Sequence, residues 1–278
     1  MPTLEFVSKS YAHTASNLNA LLRVIAGWTA LYGVAFMAWF YGVSALIQSD
    51  PAFALWFASL DERLQDALVA VAPLLVALVA LPAVAVAWHR FVLLGEAPTG
   101  FLPFRPWQVA QYFRRMVVSF GVAVFFAVFA LLVVGGAIAG VARLPGAGAV
   151  LMLVPLLTLV TFLYVFVRTG LSLPAAAVAD GEWTVKRSWD ETRSSGLSLF
   201  GGTVLVGLPF ALLRWFVSGI AIAFVGQQQV LLFIAASTVG FGIALVGVAV
   251  GATFYSLVYD FVADDGGAKD RALASHFS

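Results

Sequence analysis

ALVAVAPLLVALVALPAVAVAW, residues 67–88, decides the fold: twenty-two residues without a charged side chain, followed at once by His89 and Arg90. At about 1.5 Å rise per residue a helix of this length runs about 33 Å, enough for the roughly 30 Å hydrocarbon layer of a bilayer. A barrel strand would need about half as many residues and would alternate polar with apolar, which this stretch does not. It reads as a transmembrane helix.

Outward from it, five more apolar runs of similar length lie at about 24–47, 117–140, 149–167, 197–219 and 231–255. Apart from Arg214, no acidic or basic residue stands inside any of the six. Hydrophobic residues make up 62% of the 278-residue chain, charged residues 10%, and the mean hydropathy is +0.98. A typical soluble domain is roughly 25% charged, so a soluble core is excluded. The expected fold is all-α: a polytopic integral membrane helix bundle, one domain over 1–278, its six transmembrane helices arranged as three tandem hairpins with interfacial amphipathic helices between them. The first twenty residues lack the basic, apolar and small-residue pattern of a secretory signal, so the first span is expected to stay in the mature protein.

Lys and Arg divide unevenly between the two sides of such a bundle. Lys9, Arg23, Arg90, Arg105, Arg114, Arg115, Arg168, Lys186, Arg187, Arg193, Lys269 and Arg271 fall on one side, Arg63, Arg143 and Arg214 on the other. The positive-inside rule then puts both termini in the cytoplasm. A bacterial inner (cytoplasmic) membrane is the expected location. The net charge of +1 provides no global field for nucleic acid, which is not an expected partner.

Segments between the spans carry their own helical signals. Asp50 and Pro51 form an N-cap and first-position pair, after which Phe53, Trp56, Phe57, Leu60 and Leu64 share one face. That predicts a helix lying on the outer surface. On the inner side, Pro106 to Met116 predicts a second surface helix, presenting Trp107, Ala110 and Phe113, that turns into the third span.

A repeat is also visible. Arg90 and Arg168 close the second and fourth spans 78 residues apart, and Arg115 and Arg193 precede the third and fifth spans at the same interval. Parallel hairpin repeats would produce this spacing, as would any hairpin protein that keeps basic residues at its cytoplasmic ends.

Candidate sites are few. His89 beside Trp88 and Arg90 suggests a haem or metal ligand, but His13 and His276 lie in the terminal segments with no carboxylate cluster, so neither cofactor nor metal is expected. No span contains His, Asp or Glu, which argues against intramembrane hydrolysis. Arg90, Asp180, Glu182, Asp190 and Glu191 near the inner surface show no spacing that indicates a reaction, and no catalytic residue is assigned. Arg214 is placed near the outer surface, snorkelling beside Trp215. Gly136–Gly140 and Gly247–Gly251 have the spacing that lets helices approach closely, and Pro73, Pro82, Pro155 and Pro209 should kink their spans. Arg90, Arg114, Arg115, Arg168, Arg193, Trp107, Trp189 and Arg214 remain as candidate contacts for lipid headgroups or a partner.

The loop RTGLSLPAAAVADGEWTVKRSWDETRSSG, residues 168–196, is the richest in polar residues. Its Arg168, Leu173-Pro174, Ala175 to Ala177, Ser188-Trp189 and Thr192 resemble a group of bacterial six-helix membrane proteins. That group includes the YciC-like proteins and the membrane domain attached to some glycerophosphoryl diester phosphodiesterases. The resemblance covers about thirty residues and is only topological elsewhere. It implies no catalytic residue here, because in that group catalysis belongs to a separate soluble domain. Ala176 to Gly181 also looks like part of the coupling loop of ABC importer permeases, without that motif's starting glutamate or downstream Leu-Pro pair.

The expected function is that of a non-enzymatic accessory, assembly or organising subunit of a membrane complex, with membrane lipids and a membrane-protein partner or a second copy as its contacts. The alternative is a transporter or lipid-handling permease for an apolar or amphipathic substrate.

Overall fold

Apolar runs in lipid leave the backbone no hydrogen-bonding partner but itself, and the elements that form are helices. The structure, a computed structural model, describes residues 3–98, 102–139, 147–226 and 229–276. In chain order these are α1 (Thr3–Ser16), α2 (Leu18–Ser49), α3 (Pro51–Ala58), α4 (Glu62–Leu94), α5 (Pro106–Ala139), α6 (Ala147–Thr169), α7 (Ser172–Ala177), α8 (Val185–Glu191), α9 (Gly196–Gly226) and α10 (Val230–His276). Among the described residues there is no strand. Five helices, α2, α4, α5, α9 and α10, are long and apolar enough to cross a membrane, which marks a multi-pass membrane protein. The run at 149–167 is helical within α6, but its described apolar part, Leu153–Thr169, is shorter than those five. Gly140 and Arg143 lie outside the described residues, as do the side chains of Lys269, Arg271 and His276.

Several boundaries differ from the sequence reading. The stretch before the first span forms α1, whose buried face is Phe6, Ser10 and Thr14; two of those three are polar, which hides the helical period. It ends at Asn17, whose side-chain amide donates back to the His13 carbonyl at 2.8 Å. Asp50 caps α3 as expected, accepting from the Ala52 and Phe53 amides at 2.9 and 3.1 Å. That helix stops at Ala58, however, because Asp61 starts α4 by accepting from the Arg63 amide; Leu60 and Leu64 therefore do not belong to it. The inner surface helix expected over 106–116 does not turn: α5 is one continuous helix, since no proline, glycine or cap interrupts it between Trp107 and Val117. At about 1.5 Å per residue its 34 residues run about 51 Å, so it must overhang the bilayer. Helix α9 likewise continues past 219 to Gly226.

Helix α10 is the hub. One of its faces, Phe241, Leu245, Ala249 and Ala252, joins a core with Val24 and Trp28 of α2 and Ala80, Val84 and Trp88 of α4. Another, Val250, Phe254 and Val258, joins a second core with Phe6 of α1, Leu199 and Val206 of α9 and Leu171 before α7. Ring contacts trace the pairing: Phe6 with Phe261, Tyr32 stacked on Phe241 at 4.2 Å, and Phe36 with Phe233 at 5.5 Å. Helices α1 and α2 together thus run antiparallel to α10. Gly202 is required where α9 meets this hub, because a Cβ there would overlap the Phe254 ring and come within 2.8 Å of Thr3. In the second glycine pair, Gly247 makes a close approach to Phe210 of α9, within the bundle, while Gly251 has open space beside it.

Helix α5 is different. Beyond Tyr112 its buried described residues are Ser119, Ala123 and Ala127, the four-residue spacing of a single contact stripe, and it packs there on α6.

Candidate functional site

The loop 168–196 folds into α7 and α8 and closes one end of the bundle. Helix α7 ends in a Schellman turn: the Asp180 amide donates to the Ala175 carbonyl at 2.8 Å and the Ala179 amide to Ala176 at 3.3 Å. The left-handed residue of that turn is Ala179, with φ of 62°, where glycine is usual. Arg115 of α5 gathers carbonyls from the start of α7, from this turn and from just beyond it. Its guanidinium donates to the carbonyls of Ser172, Trp183 and Asp180 at 2.9, 2.7 and 2.8 Å. Asp180 accepts from the Tyr259 hydroxyl of α10 at 2.6 Å and from the Glu182 amide at 2.9 Å. Burial pushes its carboxyl pKa up, but the Tyr259 hydroxyl, the Glu182 and Trp183 amides and the Arg115 charge outweigh that and hold it below its ordinary value.

Arg168, buried at the end of α6, organises the other half of the loop. Its Nε donates to Thr192 Oγ1 at 3.1 Å and its Nη2 to the Trp189 carbonyl at 2.5 Å, while the guanidinium lies 3.7 Å from the Trp189 ring centroid. Ser188 Oγ donates to the Arg168 carbonyl at 2.6 Å, and Trp189 stacks on Phe126 of α5. Gly196 is fixed by this site, since a Cβ would fall 2.7 Å from the Tyr164 hydroxyl and 3.1 Å from the Arg168 side chain. Arg90 completes the collar by pairing with Glu96 and donating to the Ala177 carbonyl at 2.9 Å. Glu96 also accepts from Arg105 at 2.7 Å. The bond from Arg90, with the charges of Arg90 and Arg105, holds the Glu96 carboxyl below the usual range. These groups enclose a small cavity of about 170 Å³ lined by Arg90, Glu96, Phe104 and Arg105.

Inside the bundle, polar groups meet in pairs. Trp88 Nε1 donates to Thr253 Oγ1 at 2.8 Å, and His89 Nδ1 lies 2.8 Å from Ser256 Oγ, with both residues buried. The apolar spans showed no histidine, yet α4 carries His89 within it and brings it to a serine of α10. Among the described residues no carboxylate bonds the histidine, and none of the cavities described here is lined by either residue. The pair ties two helices together and lacks the access a substrate needs.

The other end of the bundle, near α3, is built differently. A cavity of about 410 Å³ lies among α2, α4, α9 and α10, walled by Tyr32, Phe36, Pro73, Phe233 and Phe241 and bearing Arg214, Ser218 and Ser237. Nearby, Trp39 Nε1 donates to the Leu68 carbonyl at 2.7 Å, one turn before the Pro73 interruption of α4. A second, almost wholly apolar hollow of about 390 Å³ sits under α3 between Trp39, Val43, Phe53 and Trp56.

Of the candidate contacts read from the sequence, Arg90, Arg115, Arg168 and Trp189 come together in the collar, held by protein groups. Arg114, Arg193 and Trp107 lie on the surface, and Arg214 faces the cavity near α3. The spacing repeat is not matched in contacts: Arg115 clamps three carbonyls whereas Arg193 is exposed. Asp180 is engaged by Tyr259, Glu191 lies 3.8 Å from Arg187, and Glu182 and Asp190 make no shared cluster with them. Sequence reasoning missed Glu96, Tyr259, Thr192 as a side-chain partner, and the hydroxyls around Arg214. Comparison of the chain with known protein families, with curated proteins and with solved structures finds no match.

Proposed function

We propose that the protein is a non-enzymatic accessory, assembly or organising subunit of a complex in the bacterial inner membrane, crossing it six times as three hairpins with the loop 168–196 and both termini cytoplasmic. The observation that carries this reading is the α5–α6 hairpin. Phe120, Phe125, Phe129 and Leu132 of α5 and Leu153, Leu156 and Leu159 of α6 are exposed, so most of the hairpin's circumference is uncovered. It is anchored at the loop end by Arg115, by Trp189 on Phe126 and by α7. A helix pair so fixed at one end and open along its length suits a partner that docks within the bilayer. The loop residues that resemble the YciC-like group hold that anchor, which accords with a shared structural role.

Photo-crosslinking side chains at Phe125, Phe129 and Leu132, introduced one at a time in living cells, should each join one discrete protein partner. The same probe at Leu74 or Trp215 should not. Labelling of lipid alone at all five positions sinks the proposal.

The second reading, a lipid-handling permease, draws on the cavity beside Arg214. Against it, Val84, Trp88, Leu245 and Ala249 fill the bundle between that cavity and the collar. Lipid scrambling by the purified protein in liposomes would favour it over the first.

A further inference from the structure

Hydroxyls in this protein's helices usually donate to the carbonyl four residues back. Ser44, Ser49, Thr158, Thr203 and Thr238 all do so. Ser218 and Ser237 do not, and neither they, the Tyr32 hydroxyl nor the Arg214 guanidinium bonds to any described residue. All four groups line the same 410 Å³ cavity. Arg214 and Ser218 share one face of α9 at a four-residue spacing, with Ser237 opposite on α10 and Tyr32 on α2.

The cavity's α4 wall fixes its depth. That wall runs from Ala70 to Leu81, which stand four and fifteen residues past Asp66, or about 6 to 22 Å along the helix. The space therefore reaches from just below the membrane border near α3 toward the middle of the bilayer. The Arg214 side chain is exposed on this apolar wall and makes no hydrogen bond or ion pair with a described residue, so a bound anion would neutralise a charge the protein leaves open. Its setting, a volume within the roughly 300–1,000 Å³ of small-molecule sites, aromatic walls and a few convergent donors, is that of a ligand pocket. Every free group there can donate, and no carboxylate competes. The volume suits one hydrocarbon chain with its polar end.

We propose that the cavity among α2, α4, α9 and α10 binds an anionic lipid from the leaflet on the α3 side. Its headgroup oxyanion pairs with Arg214 and accepts from Ser218, Ser237 and Tyr32. Its chain lies against Phe36, Phe233 and Leu81. A phospholipid phosphodiester and a fatty-acid carboxylate share this chemistry. The inference rests on the cavity and not on the subunit role proposed above, so either can fail alone.

The test is native mass spectrometry of the full chain released from phosphatidylcholine nanodiscs containing phosphatidylglycerol or oleate. One anionic lipid per chain should be retained, and whichever probe displaces the other identifies the headgroup. Arg214→Gln should weaken retention at least tenfold. Ala236→Trp, which fills the cavity but keeps the arginine, should do the same. Methyl oleate and inorganic phosphate should not compete. Melting in lipid-free detergent checks that each variant is folded, and Ala244→Phe replaces Ala236→Trp if that variant is not. Full retention by Arg214→Gln overturns the proposal. So does loss by Arg214→Gln with retention by the cavity-filling variant, which would mean snorkelling to surface lipid, and so does competition by inorganic phosphate, which would mean an anion site indifferent to lipid.

Discussion

Arg168 and Arg214 both sit where an apolar chain would rather have no charge, and the fold treats them in opposite ways. Around Arg168 it supplies a carbonyl and an aromatic face from α8 and a hydroxyl from the residue that caps it, and around Arg115 three carbonyls from the start of α7 and the segment that follows it. Around Arg214 it supplies space and three hydroxyls, none of which bonds to anything else described. Unlike Arg90, which pairs with Glu96, neither Arg168 nor Arg115 makes an ion pair with a described residue; peptide carbonyls take that place because the loop aims several at one cation. The difference separates a charge that builds structure from one left for a ligand.

The sharpest way to break that comparison is to remove a collar charge. Arg168→Ala leaves the Trp189 carbonyl and Thr192 without their donor and Trp189 without its cation, and should cost about 3 kcal/mol. A large fall in melting temperature and in folded yield would show it. Arg115→Lys keeps the charge but cannot fork to three carbonyls, so a loss of about 1–2 kcal/mol is expected by the same measurement. Acid should act on the collar in a definite direction. The Asp180 carboxyl titrates lower folded than unfolded, so its contribution is complete above the ordinary carboxylate range and fades as pH falls through the depressed value. Melting curves taken down that range should be flatter for Asp180→Asn than for the unaltered protein. Ala179→Gly relieves a left-handed alanine and should raise stability by about 0.5 kcal/mol, read as a small rise in the same melting temperature. Arg214→Gln, at the other pole, should leave lipid-free melting within about 0.5 kcal/mol of the unaltered protein, because no hydrogen bond or ion pair with a described residue is lost. A drop as large as that for Arg168→Ala would erase the distinction.

Much of the architecture was legible because lipid enforces one rule: long uncharged runs become helices. Asp50 with Pro51 marked a true helix start, and the 67–88 run fell inside α4. Where the reading failed, polar or continuous sequence disguised the element. Helix α1 buries Ser10 and Thr14 rather than leucines, and α5 starts eleven residues before its apolar run with nothing to bend it. At the sites, arginines could be picked from the sequence but not sorted. Arg115 and Arg193 look alike in spacing, yet only Arg115 faces carbonyls, and backbone carbonyls carry no residue signature. The hydroxyls near Arg214 come from three separate helices and meet only after folding.

The pairing of α1 and α2 with α10 also has a consequence in time. Thr14 meets Thr253 across 239 residues of chain, so the helices made early must wait in the bilayer until α10 has been synthesised. During that interval Trp88 lacks its Thr253 partner and His89 its Ser256 partner. Interrupting translation before α10 should therefore yield fragments that are inserted but recognised as unfinished, the natural prey of membrane proteases.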